Sequence, residues 1–522
     1  MNMFCYQCQE TAGNKGCTVA GVCGKPSEVA NLQDELIAQL QGLAIWATAA
    51  RQRGVIDDQI DLLVVEGLFL TVTNVNFDPK RMEQKIAQAK ELVKKTGATI
   101  PSALGALAEK NEDLRSLKQL LLYGLKGLAA YANHAYILKK ASPEIFAFIH
   151  KALAATVRSD ISADELVGLV LAAGQNGVAV MALLDKANTE AYGHPVITKV
   201  ATGTKAGKAI LVSGHDLLDL DELLQQTVGK GINVYTHGEM LPANAYPGLK
   251  KYPHLAGNYG TAWHAQQREF ANFPGAILFT TNCIQKPLPS YQSNLFTAGL
   301  AGWPGVSHIA DRADGKQKDF SAVIQKALSL PGLSDKPGKE LTIGFAHNTI
   351  LSLADKVVAA VKSGAIKRFF VMAGCDGRLK ERQYFTDLAQ ALPADTVILT
   401  AGCAKFRYNQ LELGDIGGIP RVLDAGQCND SYSLAVVALK LVEVFGVKSV
   451  NELPLSFDLG WYEQKAVIVL LALLYLGVKN IRLGPTVPAF LSPNVVRVLV
   501  EKFAIKPTGE VKADLAEMLA GR

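Results

Sequence analysis

The chain holds eight cysteines in 522 residues, and half of them fall within its first two dozen positions. Cys5, Cys8, Cys17 and Cys23 follow one another as C-x2-C-x8-C-x5-C. The intervening loops are short and carry Gly or Asn, which turn tightly, so the four thiols can reach one metal ion or one cluster. Spacing alone leaves structural zinc and an iron-sulfur cluster both open. Disulfide pairing is disfavoured. "MNMF" has neither the charged nor the apolar part of a secretory signal, and thiols that are not exported stay reduced.

The other four cysteines are far apart in sequence but alike in setting. Cys283 ends "LFTTNC", Cys375 ends "FFVMAGC", Cys403 ends "VILTAGC" and Cys428 ends "VLDAGQC". Each lies just past the carboxyl end of a predicted strand, where ligands bind in open α/β sheets. The helix amides that follow such turns favour thiolate over thiol. One such cysteine reads as a buried structural residue; four in the same topological position read as a converging site.

His215 after "AILVSG" and Glu239 after "INVYTHG" occupy equivalent positions, with His237 two residues before Glu239. Singly they are an ordinary loop histidine and a helix cap. As members of the set they become nitrogen and oxygen ligands, and such a mixed site differs from the closed sulfur-rich sites of structural zinc. Glu463 and Lys465 fall in the first turn of the very apolar helix predicted for "WYEQKAVIVLLALLYLGV". At a surface they would be a solvated helix start; in a cluster crevice they can supply a ligand and a proton donor.

The elements that position these residues are legible from periodicity. Residues 28 to 185 are helical almost throughout, with Leu32, Leu36, Leu40 and Leu43 marking one face of the first helix. Ser142-Pro143 is a helix start, and Ser162 with Glu165 has the form of a capping box. This region and the residues just after it hold His134, His150 and His194 and no cysteine, and it reads as scaffold. A Gly/Thr/Lys-rich linker follows; its "GTKAGKA" lacks phosphate-loop spacing and precedes a strand.

Beyond the linker, "AILVSG", "INVYTHG", "AILFTTN", "LTIGFAHN", "RFFVMAG", "VILTAG" and "RVLDAG" alternate with helical stretches, which implies parallel sheets covered by helices on both faces. The loop at 330 to 340 divides this half. The expected fold is multidomain, α plus α/β: a cysteine motif with a helical bundle over 1–200, one α/β domain over 201–335 and a second over 336–522.

Composition excludes several function classes. The net charge of +5 is spread without a basic arm, so no nucleic-acid partner is expected. The longest strongly apolar run, after Lys465, is too short to span a bilayer and reads as a buried core helix, so no membrane insertion is expected. The chain is expected in the cytoplasm.

Together "FCYQCQET", "SGHD", "THGEMLPA", "HLAGNYG", "TTNC", "AGCDGR", "AGCAKFRYN", "GQCNDSYS" and "WYEQKAV" resemble the hybrid-cluster proteins, or hydroxylamine reductases, from residue 3 to near the C-terminus. The x8 and x5 gaps resemble the class with an N-terminal four-iron four-sulfur cubane. The resemblance implies that Cys5, Cys8, Cys17 and Cys23 hold a [4Fe-4S] cluster that relays electrons. It implies a hybrid [4Fe-2O-2S] cluster on His215, Glu239, Cys283, Cys375, Cys403, Cys428 and Glu463, with Cys375 matching a persulfide position and Lys465 a lysine beside the cluster. It also implies a fold related to carbon monoxide dehydrogenase.

The activity expected from this resemblance is reduction of hydroxylamine to ammonia and water, with Glu463 and Lys465 as proton-handling residues and a redox protein as electron donor. Nitric oxide reduction at the same cluster, or a nitric-oxide-responsive protein that S-nitrosylates or senses, are the alternatives. A zinc-stabilised hydrolase would instead be colourless and free of iron.

Overall fold

The computed structural model describes residues 3–102, 105–313 and 315–521. Six helices follow the N-terminal cysteine loop: α1 (Ser27–Gln52), α2 (Asp58–Leu70), α3 (Pro79–Thr96), α4 (Glu112–Ile137), α5 (Pro143–Ala155) and α6 (Ala163–Tyr192). In α1, Leu36, Leu40 and Leu43 are buried and Leu32 packs at the edge of the core. Ser142 caps α5 ahead of Pro143, its hydroxyl accepting from the Ile145 amide. Ser162 accepts from the Glu165 amide, but the Glu165 carboxylate turns to Arg158, so only half of the expected capping box forms.

The strands build two six-stranded sheets in which every pairing is parallel. A short ribbon connects them. The chain enters through β1 (Thr198–Ala201). The first sheet uses β2 (Lys208–Ser213), β3 (Ile232–His237), β4 (Leu255–Asn258), β5 (Ala276–Phe279), β6 (Leu295–Thr297) and β7 (Ser307–His308), in the order β4-β3-β2-β5-β6-β7. The chain leaves through β8 (Glu340–Ile343), which pairs antiparallel with β1. The "LTIGFAHN" segment therefore belongs to this ribbon and not to a parallel sheet, because an apolar β-type run has the same pattern in either place.

The second sheet uses β9 (Arg368–Gly374) and β10 (Thr396–Thr400). After a small hairpin of β11 (Asp415–Ile416) and β12 (Ile419–Pro420) come β13 (Val422–Asp424), β14 (Leu455–Gly460), β15 (Ile481–Gly484) and β16 (Lys506–Pro507). Its order is β13-β10-β9-β14-β15-β16.

The apolar helix Gln464–Tyr475 leaves the second sheet and inserts between α4 and α6, so the bundle and the second sheet share one continuous core. Glycines make the insertion possible. A Cβ at Gly127 would lie 2.3 Å from the Gln464 carbonyl oxygen, and one at Gly174 would lie 2.2 Å from that of Leu471. Gly174→Ala is expected to lower stability by about 3 kcal/mol, because the clash is with backbone that cannot step aside. An unchanged thermal midpoint would contradict this packing. Among the described residues α6 is the one helix long and apolar enough to cross a membrane, and here its inner face, including Ala173, Gly177 and Met181, packs on α4 and the inserted helix.

Candidate functional site

The N-terminal cysteines sit on a compact loop. Cys5 and Cys17 exchange backbone hydrogen bonds of 3.0 and 2.8 Å, and a Cβ at Gly21 would lie 2.9 Å from Cys23 Sγ, so only glycine lets that thiol fold inward. None of the four is in a disulfide. Their sulfurs face donors: Lys25 Nζ lies 3.4 Å from Cys5 Sγ, and the Ala12 amide 3.5 Å from Cys17 Sγ. Burial pushes the Cys8 thiol well up, and its three neighbouring cysteines push it further. Four neighbouring thiols, two of them facing donors, fit an iron-sulfur cluster, whose thiolates and sulfides accept such bonds.

The second set converges as the strand-end pattern requires. His215, Glu239 and Cys283 follow the adjacent strands β2, β3 and β5; Cys375, Cys403, Cys428 and Glu463 follow the adjacent strands β9, β10, β13 and β14. The carboxyl edges of the two sheets face one another, and all seven residues line one void with Trp263, Asn282 and Tyr462. Ligand atoms of His215, Glu239 and Cys428 lie within 4.8 Å of one another, the one such trio among the described residues. Glu463 proves to be another strand-end residue. It sits one position before the helix as its N-cap, its carboxylate accepting from the Lys465 amide at 2.7 Å.

Hydrogen bonds orient these groups. Thr281 Oγ1 lies 3.0 Å from His215 Nδ1, and Lys465 Nζ donates to His215 Nε2 at 2.9 Å, occupying the lone pair that a metal would take. Burial and Lys465 hold the His215 imidazole down at about 4, so it is neutral, as a metal ligand must be. Burial works against the Glu239 charge, but His215 and the nearby lysines bring its carboxyl down to about 2. Burial disfavours the Lys465 charge as well, yet Cys428, Glu463, Cys283 and Glu239 together raise it above the ordinary lysine range. The thiols lie the other way: Cys375 is pushed up to about 12 by burial and Glu463, and Cys283, Cys403 and Cys428 are well raised by burial. Thiols that resist ionisation alone give up their protons when a metal neutralises the charge.

Several neighbours carry no sequence signal. Asn282 accepts from Lys465 at 3.0 Å and donates to Glu463, while Gln427 donates to the carbonyls of His215 and Glu239. Buried Arg382 ties the two sites together, donating to the carbonyls of Cys375 and Trp461 and to Gln9 Oε1. Trp263 and Tyr462 stack at 4.3 Å between Cys8 and the strand-end cysteines. His237 points away from the void and pairs with Glu269 at 3.0 Å. His134, expected to be scaffold, lies with its ring 6.1 Å from that of His215.

A family model described as the Prismane/CO dehydrogenase family matches residues 3–516. A protein of Kosmotoga olearia named hydroxylamine reductase is 59% identical, the match covering 100% of both chains. One of the same name from Thermosipho melanesiensis is 58% identical over 99% of this chain and 100% of its own. Among solved structures, carbon monoxide dehydrogenase from Thermococcus sp. AM4 superposes with a TM-score of 0.58 at 18% identity, covering 99% of this chain and 90% of that one. Carbon monoxide dehydrogenase IV from Carboxydothermus hydrogenoformans gives 0.57 at 16% identity, over 99% and 92%. At such identities the likeness is one of fold, and it extends through both sheets and the bundle. The match over nearly the whole sequence and the relatives at more than half identity place this chain in the Prismane/CO dehydrogenase family.

Proposed function

We propose that this chain is a hydroxylamine reductase: hydroxylamine, two protons and two electrons give ammonia and water. The observation that carries the reading is the convergence of His215, Glu239, Cys283, Cys375, Cys403, Cys428 and Glu463 on one buried void. The names of its relatives support the same activity. On this reading the seven residues hold the hybrid cluster, and Cys5, Cys8, Cys17 and Cys23 hold a four-iron four-sulfur cluster that receives electrons from a redox protein. When bound, the hybrid cluster supplies electrons and an iron position for the substrate.

The protein's own groups manage the protons. Lys465, 1% exposed, keeps its proton among surrounding negative groups and releases it only to a strong base, such as the hydroxide departing from a broken N–O bond. Glu463 accepts from the Lys465 amide, and Asn282 bridges the two side chains. Burial of the whole set keeps bulk water from the reduced site.

Anaerobic iron and sulfide analysis, with paramagnetic resonance in several redox states, tests the reading. Two distinct clusters and about eight irons are expected, together with hydroxylamine-dependent oxidation of a reduced dye. Zinc alone, or a single cluster, would overturn it. Nitric oxide is the second reading. An apolar cavity lined by Val371, Leu399, Leu434 and Leu470 reaches Cys375 and Cys428, a path suited to an uncharged gas. Turnover of the two substrates compared at low concentration separates these readings.

A further inference from the structure

The N-terminal loop keeps one cation inside. Lys25 stands two residues after Cys23 and two before α1, and it is only 5% exposed. Backbone bonds fix it there: its carbonyl accepts from the Gly21 amide at 2.7 Å, and Ala20 and Pro26 form a bridge around it. Lys25 Nζ donates to Cys5 Sγ at 3.4 Å and to Gln33 Oε1, on the second turn of α1, at 2.6 Å. The groups at Cys17 Sγ, the Ala12 amide and the Thr11 hydroxyl, are neutral. Lys126, also buried near this loop, donates to Gln7 Oε1 at 2.8 Å and to the Thr71 carbonyl and touches no sulfur. The Lys25 ammonium is therefore bonded to one neutral oxygen and one sulfur, and among the described residues no carboxylate closes an ion pair with it. A buried charge without a counter-charge is costly. Methionine would fill the same space without that cost, so the place suits an anion at the sulfur. Four thiolates around a four-iron four-sulfur core supply one, because such a cluster is negative overall and more negative when reduced.

We propose that Lys25 sets the reduction potential of the N-terminal cluster: its ammonium, held on Cys5 Sγ by Gln33, stabilises the reduced state and so raises the potential. The inference rests on reading Cys5, Cys8, Cys17 and Cys23 as the ligands of an iron-sulfur centre. The direction follows from charge. An electron added to the cluster strengthens its attraction to a cation bonded to a ligand sulfur, and burial keeps solvent and salt from screening that attraction. A neutral donor at the same sulfur would supply the hydrogen bond without the charge. With the lysine in place, the cluster accepts electrons from a weaker reductant than its thiolates alone would allow.

The test is a redox titration of the holoprotein followed by paramagnetic resonance, with the strand-end centre as internal reference. Lys25→Met and Lys25→Gln remove the charge, and in both the N-terminal potential is expected to shift negative while the strand-end potential stays in place. Lys25→Arg keeps the charge and is expected to leave the N-terminal potential close to that of the wild type. A side chain that merely filled space would give the reverse order, since methionine matches lysine in size and arginine does not. An N-terminal potential unmoved in the neutral variants, or moved as far in Lys25→Arg, overturns the proposal. If Lys25→Met loses the cluster, Lys25→Gln measured against Lys25→Arg decides, and loss of the cluster in all three variants overturns the proposal as well. Wild-type protein with no N-terminal cluster removes the iron-sulfur reading and this inference together, a result plainly different from a loaded cluster whose potential does not move.

Discussion

Cys403→Ser is expected to lower hydroxylamine reduction by roughly three orders of magnitude or more, while leaving the fold and the N-terminal cluster in place. Cys403 is 7% exposed and follows β10 at the middle of the second sheet's ligand row, so its loss opens the set from the centre. Serine fills nearly the same volume, and folding should survive. Iron content should fall from about eight to about four per chain, and the paramagnetic signal of the remaining cluster should match that of the wild type. Full iron with full turnover in this variant would show that the strand-end cysteines do not hold the reacting centre.

Lys465→Met is the second large effect. It removes the ammonium that contacts His215 Nε2, Asn282 Oδ1 and, at 3.7 Å, Glu463. Loss of a general acid costs about 10²–10⁴ in kcat. The variant also strands a buried carboxylate. Burial already raises the Glu463 carboxyl and Lys465 is the chief group holding it down, so without the lysine it rises further and is more readily protonated. Breaking a buried pair in this way costs about 3–5 kcal/mol. The two consequences separate in the double variant Lys465→Met with Glu463→Gln, which should recover stability and not turnover. Rapid turnover in Lys465→Met with both clusters loaded would remove the lysine from the proton path.

The strand-end cysteines could be read from sequence because cysteine is rare here and three of the four stand within two residues of a glycine after an apolar run. Glu463 was visible as a charge opening an apolar helix but not as the end of a strand. Ser456 and Asp458 interrupt the apolar pattern of β14, which tertiary pairing with β9 and β15 nevertheless makes a central strand. The helix Gln464–Tyr475 announced that it is buried by being apolar on all sides, but not that its partners are α4 and α6. That information resides in Gly127, Gly174 and Gly177, whose meaning appears only when the facing backbone is in place. His134 looks like an isolated polar residue on a core face, and nothing local distinguishes it from a structural one.

The two sets proposed to bind metal differ in how much chain must exist before each can close. Cys5 through Cys23 form a local loop whose ends meet through their own backbone bonds, so its ligands are available almost as soon as the first residues emerge during synthesis. The other set runs from His215 to Glu463 and draws on both sheets, so it has no partial form that lines the void. On the proposed reading of the two sets, loading follows the order of translation. The electron-receiving end can be furnished on a nascent chain, while the reactive end waits until nearly all of the polypeptide has been made and the inserted helix has found its place in the bundle.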